Sequence, residues 1–320
     1  MKIKQKLLLL MIGALSVVTL RAQEEPIRVG TDLVTVNVAV TDSKGDLVKG
    51  LKQEQFEIFD NKTKQQISHF SAEEAPVVFG IVYDMHPTTA ERMTAVLDSL
   101  RTFTKNLKEE DRFFLTAFNH YGSLNVEFIP TPEQIEKNLS VPSKAREPNS
   151  LYDAIYAAAN KLRESKSLKR TILVISDSAD HNSRHNFSDL SRQLKSINVQ
   201  VYAVIFDESE MWGYSDITQS MEKRGRISND ASKLDRVALE ELTMKSGGTS
   251  HFPNTQSGQE LFKIYNRIAA EMRNFYTLSF YPTESDGEWH RLRVGLRSVK
   301  DSKQFALTYR QGYQSLGQKR

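Results

Sequence analysis

Three long apolar runs place the tightest constraint on what this chain can fold into. Val77-Val78-Phe79-Gly80-Ile81-Val82-Tyr83, Thr171-Ile172-Leu173-Val174-Ile175 and Val199 to Phe206 lack the polar/apolar alternation of a strand with one wet face. A strand covered on both faces reads this way, which is the mark of a parallel sheet packed between helices. Segments with helical spacing separate the runs. Thr89 to Leu107 places Met93, Val96, Leu97 and Leu100 on one side, and Leu151 to Leu162 is alanine-rich. Phe187 to Ile197, Leu234 to Lys245 (stopped by Gly247-Gly248) and Leu261 to Phe275 follow. Arg112 to Phe118, Ser123 to Ile129 and Thr249 to Phe252 read as further strands. Strand and helix alternate, so residues 76–273 are expected to form a doubly wound α/β domain.

The flanks read differently. Val34, Val36, Val38 and Val40 alternate with Thr35, Asn37 and Ala39, the period of a half-buried strand. Asp42-Ser43-Lys44-Gly45-Asp46 is a turn, after which Leu47 to Leu51 and then Phe56 to Phe59 resume as strands. Strand patterns return at Tyr276 to Tyr281, Trp289 to Leu296 and Phe305 to Tyr309. Residues 23–75 and 274–320 are therefore expected to pair into one small β-sandwich-like domain with the α/β domain inserted between them. Asp207 to Ser232 is polar and reads as a surface insertion. Its Met211, Trp212 and Tyr214 form either a contact tip or a small satellite core.

With 320 residues, 39% of them hydrophobic, the chain can bury a core in each of two domains. A net charge of +3 without a dense basic run argues against nucleic acid. The absence of cysteine excludes disulfides and thiolate metal sites. Lys2, Lys4 and Lys6 precede an apolar stretch from Leu7 to Leu20, and Ala22 offers a small residue before Gln23. Residues 1–22 therefore read as a signal peptide, with an uncleaved anchor as the alternative. The mature protein is expected to be exported, periplasmic or extracellular. No later apolar stretch reaches the roughly 20 residues of a membrane span.

Chemistry is expected at the carboxyl ends of the parallel strands, where doubly wound sheets bind ligands. Two of the apolar runs end in carboxylates, Asp84 and Asp177. Residues 84, 86 and 88 of the first loop can converge on one point.

On these residues the segment from about 75 to 273 resembles a von Willebrand factor A-type (vWA) domain. That family carries a metal-ion-dependent adhesion site. An Asp-x-Ser-x-Ser loop follows its first strand, a threonine lies in a later loop, and an aspartate follows its fourth strand. Asp84 matches the first aspartate, and His86 stands where the first serine belongs. Thr88 replaces the second serine. Asn149, in Asn149-Ser150-Leu151-Tyr152-Asp153-Ala154, takes the threonine position. Asp177 matches the last aspartate. The flanks, Val38-Ala39-Val40-Thr41-Asp42 through Phe56-Glu57-Ile58-Phe59-Asp60 and Phe275-Tyr276-Thr277-Leu278, resemble a group of exported bacterial vWA-related proteins.

The resemblance implies a binding module rather than an enzyme. On that resemblance one divalent cation, Mg²⁺, Mn²⁺ or Zn²⁺, is expected on Asp84, His86, Thr88, Asn149 and Asp177, its coordination completed by an acidic side chain of a protein partner. Imidazole in place of a hydroxyl shifts the preference from Mg²⁺ toward Mn²⁺ or Zn²⁺. The alternative is a structural or scaffold protein of the cell envelope without metal, in which Asp84 and Asp177 only cap helices. His181 and His185 either join His86 in a nitrogen-rich metal site or are two polar loop histidines. A hydrolase would need Asp84, His86 and Ser176 as a triad. No phosphate-binding loop, dinucleotide fingerprint or His-Glu-x-x-His is present.

Overall fold

The computed structural model describes residues 33–317 apart from 73, 75, 85–89, 106–107, 109, 120–121, 127–149, 166, 168, 178–179, 181–182, 207–228, 254–257 and 298–303. The expected signal peptide, the Trp212 tip, His181 and the site positions His86, Thr88 and Asn149 lie outside the described residues.

In chain order, the first flank and the start of the core comprise β1 (Val34–Thr41), β2 (Phe56–Asp60), β3 (Thr63–Gln65), β4 (His69–Ser71), β5 (Val78–Asp84), α1 (Ala90–Lys105), β6 (Arg112–Asn119) and β7 (Gly122–Val126). Then come α2 (Leu151–Arg163), β8 (Arg170–Ser176), α3 (Phe187–Ser196), β9 (Val199–Ile205), α4 (Asn229–Ser246), β10 (Ser250–His251) and α5 (Gly258–Arg273). The last flank holds β11 (Tyr276–Phe280), β12 (Trp289–Leu296), β13 (Ala306–Tyr309) and β14 (Gly312–Gln314).

The three apolar runs become β5, β8 and β9 at the centre of a sheet ordered β10-β9-β8-β5-β6-β7. All pairings in it are parallel except β6 with β7. Alternate residues of β5 serve opposite faces. Phe79, Ile81 and Tyr83 pack with Leu100 and Phe103 of α1 and Tyr265 and Ile268 of α5. Val78 and Val82 pack with Ile155 and Leu162 of α2, Leu190 of α3 and Leu239 of α4. Both faces are thus dry, which is why these strands carry no polar alternation.

The amino-end edge of this sheet is braced by Asp111, whose side chain is 1% exposed. Its Oδ1 accepts from Val77 N at 3.0 Å, and its Oδ2 accepts from Lys108 N at 2.9 Å and from Arg273 Nη2 at 2.6 Å. One carboxylate thereby ties the starts of β5 and β6 to the end of α5. Close backbone approach fixes the opposite flank. A Cβ on Gly248 would be driven into the Val201 carbonyl. Gly248→Ala is expected to cost about 3 kcal/mol of stability, the upper end for overpacking, because neither backbone can retreat. Urea denaturation checks this, and a loss within error of zero would refute it.

The strands of the two flanks interleave. One antiparallel sheet runs β13-β1-β11-β4 and the other β14-β12-β2-β3, so each mixes strands from both ends of the described chain. Val36, Val38, Val40, Ile58, Leu278, Phe280 and Leu292 share the core between them. Leu47 to Leu51 does not continue as a strand: only an isolated Thr41↔Leu47 bridge forms. Gly45 and Gly50 turn the chain with φ of +83° and +80°, a conformation glycine adopts freely. The Tyr276 hydroxyl then takes the freed backbone groups, accepting from Leu51 N at 3.1 Å and donating to Val48 O at 2.8 Å.

A buried polar knot ties the second antiparallel sheet. Asp60 Oδ1 meets His290 Nδ1 at 2.8 Å, and Asp60 Oδ2 accepts from the Tyr313 hydroxyl at 2.8 Å. His290 Nε2 meets Asp286 Oδ1 at 3.0 Å. The knot links β2, β12 and β14. Burial disfavours the charged imidazole, but Asp286 and Asp60 outweigh it and hold its pKa above 6.5.

Candidate functional site

Asp84 is the last residue of β5, and Asp177 directly follows β8. From β5 the chain winds outward through β6 and β7 on one side, then returns to start β8 on the other. The crevice between the carboxyl ends of β5 and β8 is therefore the point where the winding reverses. Asp84 is 6% exposed, and its Oδ2 accepts from Ser176 Oγ at 3.0 Å. Asp177 is half-buried beside it. Ser176 thus faces the carboxylate directly.

The rim is held by the loop that follows β8. Asp180 Oδ1 accepts from Tyr152 N at 3.0 Å, and Ser183 Oγ accepts from Asp153 N at 3.0 Å. Ser183 Oγ in turn donates to Asp180 Oδ1 at 2.6 Å. These bonds satisfy first-turn amides of α2 that have no partner within the helix. The adjacent Ser150 makes no side-chain cap. Burial raises the Asp180 carboxyl, and the nearby Asp153 charge adds to that, while the bonds from Ser183, Tyr152 and Leu151 oppose it. Asp180 N also donates to Asp235 Oδ2 of α4 at 3.3 Å.

His185 closes the same clasp. Its Nδ1 lies 2.6 Å from Asp153 Oδ1, and its ring stacks on Tyr156 with centroids 3.9 Å apart. Burial pushes the Asp153 carboxyl up, but hydrogen bonds from His185 and Arg184 prevail and hold it low. His185 therefore anchors the loop to α2. Asp153, Asp180 and Ser183 carry this rim, and sequence reading did not single them out. The Tyr152-Asp153-Ala154 match was the one signal pointing to any of them.

Counting from β5, the strands cross the sheet in the order third, second, first, fourth, fifth, sixth, with the third reversed. Asp84 ends the first strand, Asp177 follows the fourth, and those strands are neighbours. The fold is of the vWA type. No protein-family model matches the chain. No curated protein matches it either. Among solved structures, the vWA fold here is similar to a von Willebrand factor type A protein from Catenulispora acidiphila, at 9% identity and a TM-score of 0.46, over 91% of this chain and 76% of that one. An aerotolerance-related membrane protein from Bacteroides fragilis aligns at 15% identity and a TM-score of 0.45, over 61% of this chain and 98% of that one. A pilus adhesin from Lactobacillus rhamnosus GG aligns at 12% identity and 0.46, over 88% and 41%.

The described members of the expected ligand set suit an oxygen-seeking cation. Asp84 and Asp177 offer carboxylates at the ends of adjacent strands, and Ser176 orients the first of them. Glu284, Asp286 and His290 also cluster within 4.8 Å of one another in the antiparallel part. Both ring nitrogens of His290 are already committed to Asp60 and Asp286, which leaves no lone pair for a metal. Among the described residues no helix is long and apolar enough to cross a membrane.

Proposed function

We propose that the protein is an exported binding module that engages a protein partner at the carboxyl edge of the vWA sheet. The reading is carried by the placement of Asp84 and Asp177 at the winding reversal, under a rim clasped to α2. Asp84, held by Ser176, and Asp177 form the base of the site. His86, Thr88 and Asn149, which lie outside the described residues, are the further donors that the resemblance implies. A divalent cation bound there supplies a positive charge with an open position for an acidic side chain of the partner. The clasp of Asp180, Ser183 and His185 onto α2 keeps the rim from collapsing across that position. Export follows from the signal-peptide reading of residues 1–22.

Calorimetric titration tests the proposal. Mn²⁺ or Zn²⁺ is expected to bind more tightly than Mg²⁺, because His86 replaces a hydroxyl. Affinity should fall below about pH 6.5, where imidazole takes up its proton. Asp84→Asn should abolish binding, and His86→Ser should restore the Mg²⁺ preference. If wild type takes up no divalent cation at millimolar concentration, the metal-independent scaffold reading replaces this one.

A further inference from the structure

At the end of the vWA sheet opposite Asp84, the last turns of α3 and α4 meet the strands β12 and β14 around a crevice of about 20 Å³. Space of that size admits one or two water-sized groups. Its walls are mostly apolar, with Leu194, Ile197 and Trp289 among them, while Lys195, Lys245 and Arg310 bring positive charge to it. Lys195 Nζ sits 4.4 Å from the Trp289 ring, and Lys245 pairs with Glu241. Arg310 is the anomaly. Its Nε is buried without a hydrogen-bond partner, and its guanidinium lies 5.9 Å from the Tyr313 ring. The Nε of Arg170, close enough to repel it, is buried and unpartnered as well. Three cations thus face one carboxylate, and the carbonyl ends of two helices add only about half a negative charge each. Arg310 as a whole is half-buried, and its Nε is a buried donor with its hydrogen bond unmade, which is costly to keep.

We propose that this crevice receives the carboxylate of a glutamate side chain from an acidic segment of a partner protein. The head group meets Arg310 and Lys195, and its methylene stem lies along Ile197, Leu194 and Trp289. A glutamate side chain carries an apolar stem to match these walls, which a phosphate lacks. Burial, with Arg170 nearby, lowers the Arg310 pKa to about 10, consistent with a guanidinium short of negative charge. The site is independent of any cation at Asp84, since it lies at the opposite edge of the sheet.

The chain has two tryptophans, so in a Trp212→Phe background fluorescence reports on Trp289 alone. The probes are an acetylated, amidated tetraglutamate peptide, its tetraglutamine counterpart and inorganic phosphate. The glutamate peptide is expected to give a saturable change, weakened about tenfold by Lys195→Gln and by Arg310→Gln, as for loss of one charge-assisted hydrogen bond. Asp84→Asn and chelator should leave it unchanged. Lys195 is half-exposed, so its variant keeps the test alive if Arg310→Gln fails to fold. Four results would overturn the proposal: an equal response to the glutamine peptide, phosphate binding as tightly as the glutamate peptide, no saturation at millimolar peptide, or affinity untouched in Lys195→Gln.

Discussion

Replacing Asp111 by alanine is expected to lower the unfolding free energy by about 3–5 kcal/mol, the cost of breaking a buried ion pair from one side. The carboxylate accepts from Val77 N, Lys108 N and Arg273 Nη2, so its loss strands two backbone amides and removes the counter-charge facing Arg273 at the amino edge of the sheet. Asp111→Asn keeps an acceptor oxygen but loses the charge, and should cost less. Urea denaturation at constant m-value measures both. The Arg273→Ala, Asp111→Ala double variant should be less unstable than the sum of the singles, because the two share one interaction. A loss under about 1 kcal/mol for Asp111→Ala would show that the brace is replaceable.

The second large effect depends on pH and belongs to His290. The fold holds its pKa above the unfolded value of 6.5, so the charged ring stabilises the native state. That contribution is fully present below pH 6.5 and is lost as pH rises through the folded pKa. For one proton the slope cannot exceed about 1.4 kcal/mol per pH unit. The groups around the ring are Asp60 on β2, Asp286 and Glu284 in the turn before β12, and Tyr313 on β14, with Arg310 beyond it. Stability of wild type minus that of His290→Gln, measured from pH 5 to 9, isolates the effect. His251 does not confound it. Burial and Arg267 lower its pKa to about 4, so its contribution is lost as pH falls from 6.5 towards 4, and it cancels in the difference because both proteins carry His251. A flat difference curve would mean that His290 stays neutral and acts only through hydrogen bonds.

How much of this was readable in advance varies with the physics of each element. β5, β8 and β9 were legible because burial on both faces leaves a continuous apolar run without polar alternation. The run from Trp289 to Leu296 was read to the residue as β12. β3, β4 and β14 span three residues each, too short for a period to show. Leu47 to Leu51 looked like a strand because its apolar residues do pack inward, although Leu51 N and Val48 O bond a tyrosine hydroxyl rather than a neighbouring strand. In the site, Asp84 and Asp177 were legible as carboxylates that terminate apolar runs. Asp180 and Ser183 were not, since they cap a helix that begins about thirty positions earlier. His290 and Asp60, 230 positions apart, carry no local signature of their pairing.

The pairing of β4 with β11, Ser71 opposite Thr277, has a mechanical consequence. The chain enters and leaves the entire doubly wound segment through two adjacent strands about 5 Å apart. Tension entering at β1 and leaving at β14 runs through the antiparallel ladders and bypasses that segment. The edge that carries Asp84 and Asp177 stays unloaded until the β4–β11 ladder opens. A protein built this way can be pulled by its ends without its binding face being deformed first.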